Sequence, residues 1–139
     1  MKKRSLYRGF LLMGVLLFFV VTGCQKESEK VTINTGILTT GKWLQQNGTP
    51  LPTDRIYWRY RADGTGVKWN ESTDPDQYIG EEESNMTFSW NVEEDVLTHL
   101  FRGEMGNQGV TRYYTVKSQS AAQMVWEDPY GDEITLVKQ

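Results

Sequence analysis

Between residues 38 and 138 the chain repeats one pattern. Short runs place large apolar side chains at every second position, and residues that favour turns cut between them. Successive side chains of a strand point to opposite faces, so this alternation describes strands with one dry face. The cleanest run is Met86-Thr87-Phe88-Ser89-Trp90-Asn91-Val92, with Met86, Phe88, Trp90 and Val92 on one face and Thr87, Ser89 and Asn91 on the other. Helical periodicity is hard to find. Rows of rings on one face need a shared dry interior, and a sheet supplies it by closing on itself or by packing against a second sheet.

Taken in order, Leu38 to Gln45 is the first predicted strand, ended by Asn47-Gly48-Thr49-Pro50-Leu51-Pro52. Proline lacks the donor that a ladder needs, and Asn-Gly favours a turn. Ile56 to Arg61 follows, with Ile56, Trp58 and Tyr60 in phase, then an Asp63-Gly64 hairpin signal and Val67 to Asn70. Glu71 to Ser84 is the longest break, polar and acidic. After Met86 to Val92, Glu93-Glu94-Asp95 turns into Val96 to Arg102, and Gly103, Gly106 and Gly109 mark a loop before Val110 to Lys117. Ser118-Gln119-Ser120 leads into Ala122 to Glu127, and Asp128-Pro129-Tyr130-Gly131 into Glu133 to Lys138. These are about eight strands with mostly short connections, so sequence neighbours pair antiparallel. The predicted fold is all-β: an up-and-down antiparallel β-barrel of about eight strands over residues 38–139. A two-sheet sandwich is the alternative that periodicity leaves open.

The first 23 residues have a different character. Lys2, Lys3, Arg4 and Arg8 precede an almost uninterrupted apolar run from Phe10 to Val21. A basic start and an apolar stretch of roughly 7–15 residues make a secretory signal, whereas a spanning helix needs about 20. The run closes on Val21-Thr22-Gly23-Cys24, which resembles the lipobox of bacterial lipoproteins. The resemblance implies a signal helix over 1–23, cleavage before Cys24, and acylation of that cysteine and of the new amino terminus. Two or more acyl chains give stable anchoring. Residues 24–37 are then expected to be a lipidated, flexible tether. Within it Cys24-Gln25-Lys26-Glu27-Ser28-Glu29 is similar to export signals that send some Gram-negative lipoproteins to the outer face of the outer membrane; a plain solvated tether is the other reading. The expected location is the bacterial cell envelope, lipid-anchored, in the outer membrane and on one of its two faces.

Composition narrows the partners. Four of the 15 basic side chains lie in the leader, leaving 11 against 18 acidic ones in the mature part, a charge near −7. No basic block remains, which argues against nucleic acid. Cys24 is the only cysteine, so once lipidated it leaves neither a disulfide nor a thiolate metal site, and stability must come from a packed core.

Gly41-Lys42-Trp43 resembles the opening Gly-x-Trp of lipocalins and their calycin relatives. Tyr60-Arg61-Ala62-Asp63-Gly64-Thr65-Gly66, followed by Phe88-x-Trp90-x-Val92, is similar to lipocalin-like domains of small bacterial lipoproteins. Over residues 38–138 this implies an up-and-down barrel with Trp43 near its closed end and Gly41 permitting close chain approach there. Thr111-Arg112-Tyr113 approximates the second lipocalin motif. The region of the third motif, an arginine set against the tryptophan, offers Lys138.

The candidate barrel interior is Trp58, Tyr60, Phe88, Trp90, His99, Arg112, Tyr114, Met124 and Trp126. It reads either as an aromatic wall for a small apolar or amphiphilic ligand or as rings that fill the core. Arg112 reads as an inward partner for a carboxylate or phosphate, or as a rim residue reaching solvent. His99 reads as a hydrogen-bonded core residue rather than a catalyst. Asp74-Pro75-Asp76 and Glu81-Glu82-Glu83 miss the calcium-loop spacing, with Ile79 and Asn85 where glycine and glutamate are needed. No metal and no cofactor is expected. One histidine and no free thiol make a catalytic constellation thin. The expectation is a non-catalytic binding module held at the membrane through Cys24. A protein-interaction or inhibitor domain acting through loops such as Glu71 to Ser84 is the alternative, and a small hydrolase ranks below both.

Overall fold

The computed structural model describes residues 29–103 and 109–139. The expected signal helix, Cys24 and Gly106 lie outside these. The described chain forms a closed antiparallel barrel of eight strands. They are β1 (Trp43–Gln45), β2 (Ile56–Tyr60), β3 (Thr65–Asn70), β4 (Thr87–Glu93), β5 (Val96–Phe101), β6 (Val110–Gln119), β7 (Gln123–Glu127) and β8 (Glu133–Lys138). Each strand pairs with the next in sequence, and β8 returns to β1 through Trp43↔Lys138 and Gln45↔Leu136. Closure of this kind leaves no unpaired edge.

The two ends differ. One end carries the β2–β3, β4–β5 and β6–β7 hairpins, the carboxyl terminus and the incoming amino-terminal segment. There Asn34 caps a one-turn helix, α1 (Thr35–Leu38), by accepting from the Ile37 N–H at 3.1 Å. The Gln119 side chain accepts from the Asn34 N–H at 2.6 Å and donates to its carbonyl at 3.2 Å. Leu38 is fully buried, Ile33 is buried beside it, and the Trp43 indole N–H donates to the Leu38 carbonyl at 2.9 Å. Gly41, at φ 75°, lets the chain reverse against the last strand; a Cβ there would stand 3.2 Å from the Gln139 carbonyl oxygen. Lys138 sets its ammonium 5.6 Å from the centre of the Trp43 ring. The predicted first strand, Leu38 to Gln45, is therefore shortened to three residues. The Asn34 cap winds its start into a helical turn, and Gly41 breaks the extended path. The packed body also starts upstream of residue 38, at Val31 and Ile33.

The other end carries the longer connections 46–55, 71–86 and 102–109 and the tight β7–β8 turn. That turn and the Asp63-Gly64 hairpin share one geometry. In each the glycine N–H donates to the carbonyl three residues back, Arg61 at 3.1 Å and Asp128 at 3.0 Å, while Gly64 and Gly131 adopt φ 81° and 90°. Only the glycine is left-handed in each, so neither is the two-residue primed turn that needs positive φ twice.

Strand phase follows the rings, with two exceptions. Met86 is 46% exposed rather than sharing the buried face of Phe88, because pairing of β4 begins only at Thr87. In β3 the apolar residues Val67 and Trp69 face outward and are nevertheless buried, while Gly66, Lys68 and Asn70 oppose Tyr60, Trp58 and Ile56 on the inward phase. Trp69 is covered on the outer wall. Tyr57 stacks on it at 5.3 Å, Glu71 accepts its indole N–H at 2.8 Å, and Arg59 lies above it, paired with Glu81 at 2.7 Å. The 71–86 connection is held there by the Asn70↔Ile79 bridge.

Candidate functional site

Inside the barrel, β2, β4, β5, β6 and β7 each send rings to the axis. Trp58 meets Trp126 edge-on at 5.4 Å, Tyr114 stacks on Trp126 at 4.6 Å, and Phe88 lies 4.5 Å from His99. Offset and edge-on contacts of this kind stabilise by about 0.5–1.5 kcal/mol each beyond the area buried. Gly66 makes room for the Phe88 ring, because a Cβ there would come within 2.4 Å of it. Tyr60, Leu97, Met124 and Leu136 fill the remainder.

His99 sits at the centre of this cluster with no exposed surface. Its Nε2 shares a 3.1 Å hydrogen bond with the Tyr60 hydroxyl. Burial first, and the Lys68 charge second, push its pKa down to about 3, so the imidazole is neutral. Burial, with Tyr114 adding to it, raises the Tyr60 hydroxyl well above its ordinary value. Among the described residues, neither His99 Nδ1 nor the Trp126 indole nitrogen finds a hydrogen-bond partner. A neutral imidazole sealed under rings and bonded to a phenol can fix the core in one arrangement, but it does not meet solvent.

Above the rings the barrel opens. A cavity of about 760 Å³ lies between the long connections, floored by Trp58, Phe101 and Tyr114 and walled by Gln45, Lys68, Arg102, Arg112, Asp128 and Ile134 among others. A recess of about 290 Å³, between Ile56, Trp69, Ile79 and Met86, also includes Lys68. The larger volume falls within the range of small-molecule sites, roughly 300–1,000 Å³. Lys68 lies half-buried with its ammonium 4.8 Å from the centre of the Trp58 ring. Burial and then the Arg112 charge lower its pKa, against a smaller pull upward from Asp54. Tyr114 has its hydroxyl raised mainly by burial, with the Arg112 charge acting the other way. Trp58 is held in place by its indole N–H, which donates to Gln45 Oε1 at 3.1 Å.

The nine candidate interior residues thus divide by depth. Trp58, Arg112 and Tyr114 line the cavity. Tyr60, Phe88, His99, Met124 and Trp126 lie beneath its floor, packed on one another. Eight strands enclose little more volume than their own inward side chains need. Trp90 is half-buried toward the opposite end, its indole N–H donating to the carbonyls of Arg61 and Thr65 at 3.2 and 2.9 Å. Arg112 keeps the inward phase of Tyr114 and Val116, but it stands at the rim and is exposed. Gly41 and Trp43 seal the closed end. Sequence reasoning missed Lys68, Gln45 and Phe101. The signal for Lys68 was its position opposite Trp58, hidden because the apolar residues of its strand have the other phase. Among the described residues no group of three or more His, Cys, Asp or Glu is placed to hold a metal ion.

No family model matches the chain, and neither a characterised protein nor a solved structure does.

Proposed function

We propose that the protein is a cell-envelope lipoprotein, anchored through Cys24, whose lipocalin-like barrel is a non-catalytic module that takes a small amphiphilic ligand in its open end. The observation that carries the binding reading is the cavity of about 760 Å³, which sets the rings of Trp58, Phe101 and Tyr114 beneath walls that carry Gln45, Lys68, Arg102 and Arg112. Ligand sites have this make-up, an apolar body with a few polar groups that fix orientation. The sealed, neutral His99 supports a role without acid–base chemistry, since a general base must reach its proton within hydrogen-bond distance. Gly41, Trp43 and Lys138, brought together at the closed end, support the lipocalin-like reading. Native mass spectrometry of the full chain, purified from its own host, tests binding. A reproducible adduct of small mass, lost when Tyr114→Asp places a charge on the cavity floor, is expected; a protein that never carries one defeats the reading. For the anchor, Cys24→Ser is expected to abolish lipid-dependent processing and release the chain from membranes, and unchanged fractionation defeats that part.

The exposed apolar side chains at the open end favour a second reading, a protein-interaction domain. Leu51, Ile79, Met86 and Val110 are each more than 40% exposed there. Cross-linking in intact cells separates the two. A single protein cross-linked through residue 51 or 79, with no small-molecule adduct, supports the interaction domain.

A further inference from the structure

We propose that the cavity selects an amphiphile with an anionic oxygen headgroup, a carboxylate or a phosphate monoester, clamped between Lys68 and Arg112 with its tail on Trp58 and Tyr114. This rests on the reading of the open end as a ligand site and names the class of ligand it takes.

The register builds the clamp. Lys68 of β3 is the cross-strand partner of Trp58, and Arg112 of β6 is the partner of His99. The Trp58 and His99 rings meet across the interior at 5.4 Å, so two cations from well-separated strands stand one layer above a common floor. Both border the same cavity. Their like charges oppose each other, and an anion between them relieves that opposition. The nearby carboxylates are already engaged. Asp54 accepts the Asn70 side-chain amide at 2.7 Å and the Leu51 N–H at 2.9 Å. Asp128 accepts the N–H groups of Tyr130 and Asp132 at 2.8 and 3.0 Å. The mature chain carries a net charge near −7, so its overall field repels anions. A cationic pair set over a floor of aromatic rings is therefore a local selection for negative charge. Charged hydrogen bonds in such a recess are stronger than in water, and a planar guanidinium matches two oxygens of one headgroup.

The test uses the full chain in phosphatidylcholine nanodiscs, titrated with decanoate, decyl phosphate, decanol, acetate and inorganic phosphate, with empty nanodiscs as blank. Of the five tryptophans Trp58 is the one that lines this cavity, so a ligand-dependent change in tryptophan emission, lost in a Trp58→Phe variant, reads contact there. Decanoate and decyl phosphate are expected to bind at least about tenfold more tightly than decanol. Lys68→Gln and Arg112→Gln are each expected to weaken the two anions about tenfold and to leave decanol unchanged. Arg112 is exposed, so its substitution leaves the core intact. Equal binding of decanol and the anions overturns the headgroup clamp while the amphiphile site stands. Binding of acetate or inorganic phosphate as tight as their decyl counterparts overturns the amphiphile and leaves a free-anion site. Failure of every probe overturns the clamp and the ligand site together.

Discussion

His99 is surrounded by rings, and one phenol serves it as a hydrogen-bond partner. Its pKa near 3 in the fold, against about 6.5 in the unfolded chain, ties stability to pH. The unfolded state takes up a proton near pH 6.5 that the native state refuses until about pH 3. Stability is therefore full above pH 6.5, falls as pH drops through that value, and levels off below about 3. Between pH 8 and 4.5 this one group is expected to remove about 3 kcal/mol, measured by urea unfolding at both values. A His99→Phe variant should lack that part of the acid slope. The same variant leaves the Tyr60 hydroxyl buried and unpaired, which costs about 1–3 kcal/mol at pH 8. Adding Tyr60→Phe should recover part of the loss, and a double-mutant cycle at pH 8 reads the coupling. The alternation Leu97, His99, Phe101 already placed this histidine inside. Its hydrogen-bond partner was not legible, because Tyr60 sits 39 residues away and only the barrel's register brings the two together.

β3 shows how far alternation can be trusted. Elsewhere apolar residues mark the inside of the barrel, so strand phase could be read from them. In β3 the inside holds Gly66, Lys68 and Asn70, and Val67 and Trp69 are buried on the outer wall. Period two cannot tell which side of a sheet is covered, and the cover here is supplied by Tyr57 and the 71–86 connection. Substitutions at Gly66 and Trp69 separate the two faces of this strand, with Gly131 in the β7–β8 turn as a control. Gly66→Ala is expected to cost about 1–3 kcal/mol, because the new Cβ meets both the Phe88 ring and the Arg59 carbonyl oxygen, at 2.8 Å, and the backbone side cannot yield. Gly131→Ala meets nothing within 4 Å and should cost only the left-handed backbone strain, about 1 kcal/mol. Thermal unfolding of the two variants side by side checks the order, and an equal loss at both positions would refute the account of Gly66. Trp69→Ala should destabilise by about 3–5 kcal/mol and make 71–86 the first segment cut by protease. An outer ring that merely decorated the wall would leave proteolysis unchanged.

At the scale of the molecule, closure was legible, and the resemblance of Gly41-Lys42-Trp43 also pointed to the end that is sealed, but the plug that seals it was not legible. Eight alternating runs with short connections and rings on one face leave few architectures, and the barrel is one of them. The plug is built by α1 and Gly41, whereas the sequence read residues 24–37 as tether and Leu38 to Gln45 as plain strand. The sealed end decides how an anchored protein stands on its membrane. Lys30 emerges beside the β4–β5 turn, where it pairs with Glu94. Lys30 is six positions on from Cys24, a reach of roughly 20 Å at full extension. β6 alone, ten residues long, runs roughly 33 Å along its axis. Under the proposed anchoring through Cys24, the sealed end is held against the bilayer and the cavity is turned away from it, so the proposed ligand would enter from the aqueous side. Since Cys24 is the only native cysteine and is acylated in this reading, single fluorophores can be placed by Ala62→Cys at the sealed end and Pro52→Cys at the open end. In vesicles carrying an acceptor dye on the lipid headgroups, energy transfer is expected to be stronger from residue 62 than from residue 52. Equal transfer from both sites, or the reverse order, would mean that the barrel lies on its side or feeds from the membrane that holds it.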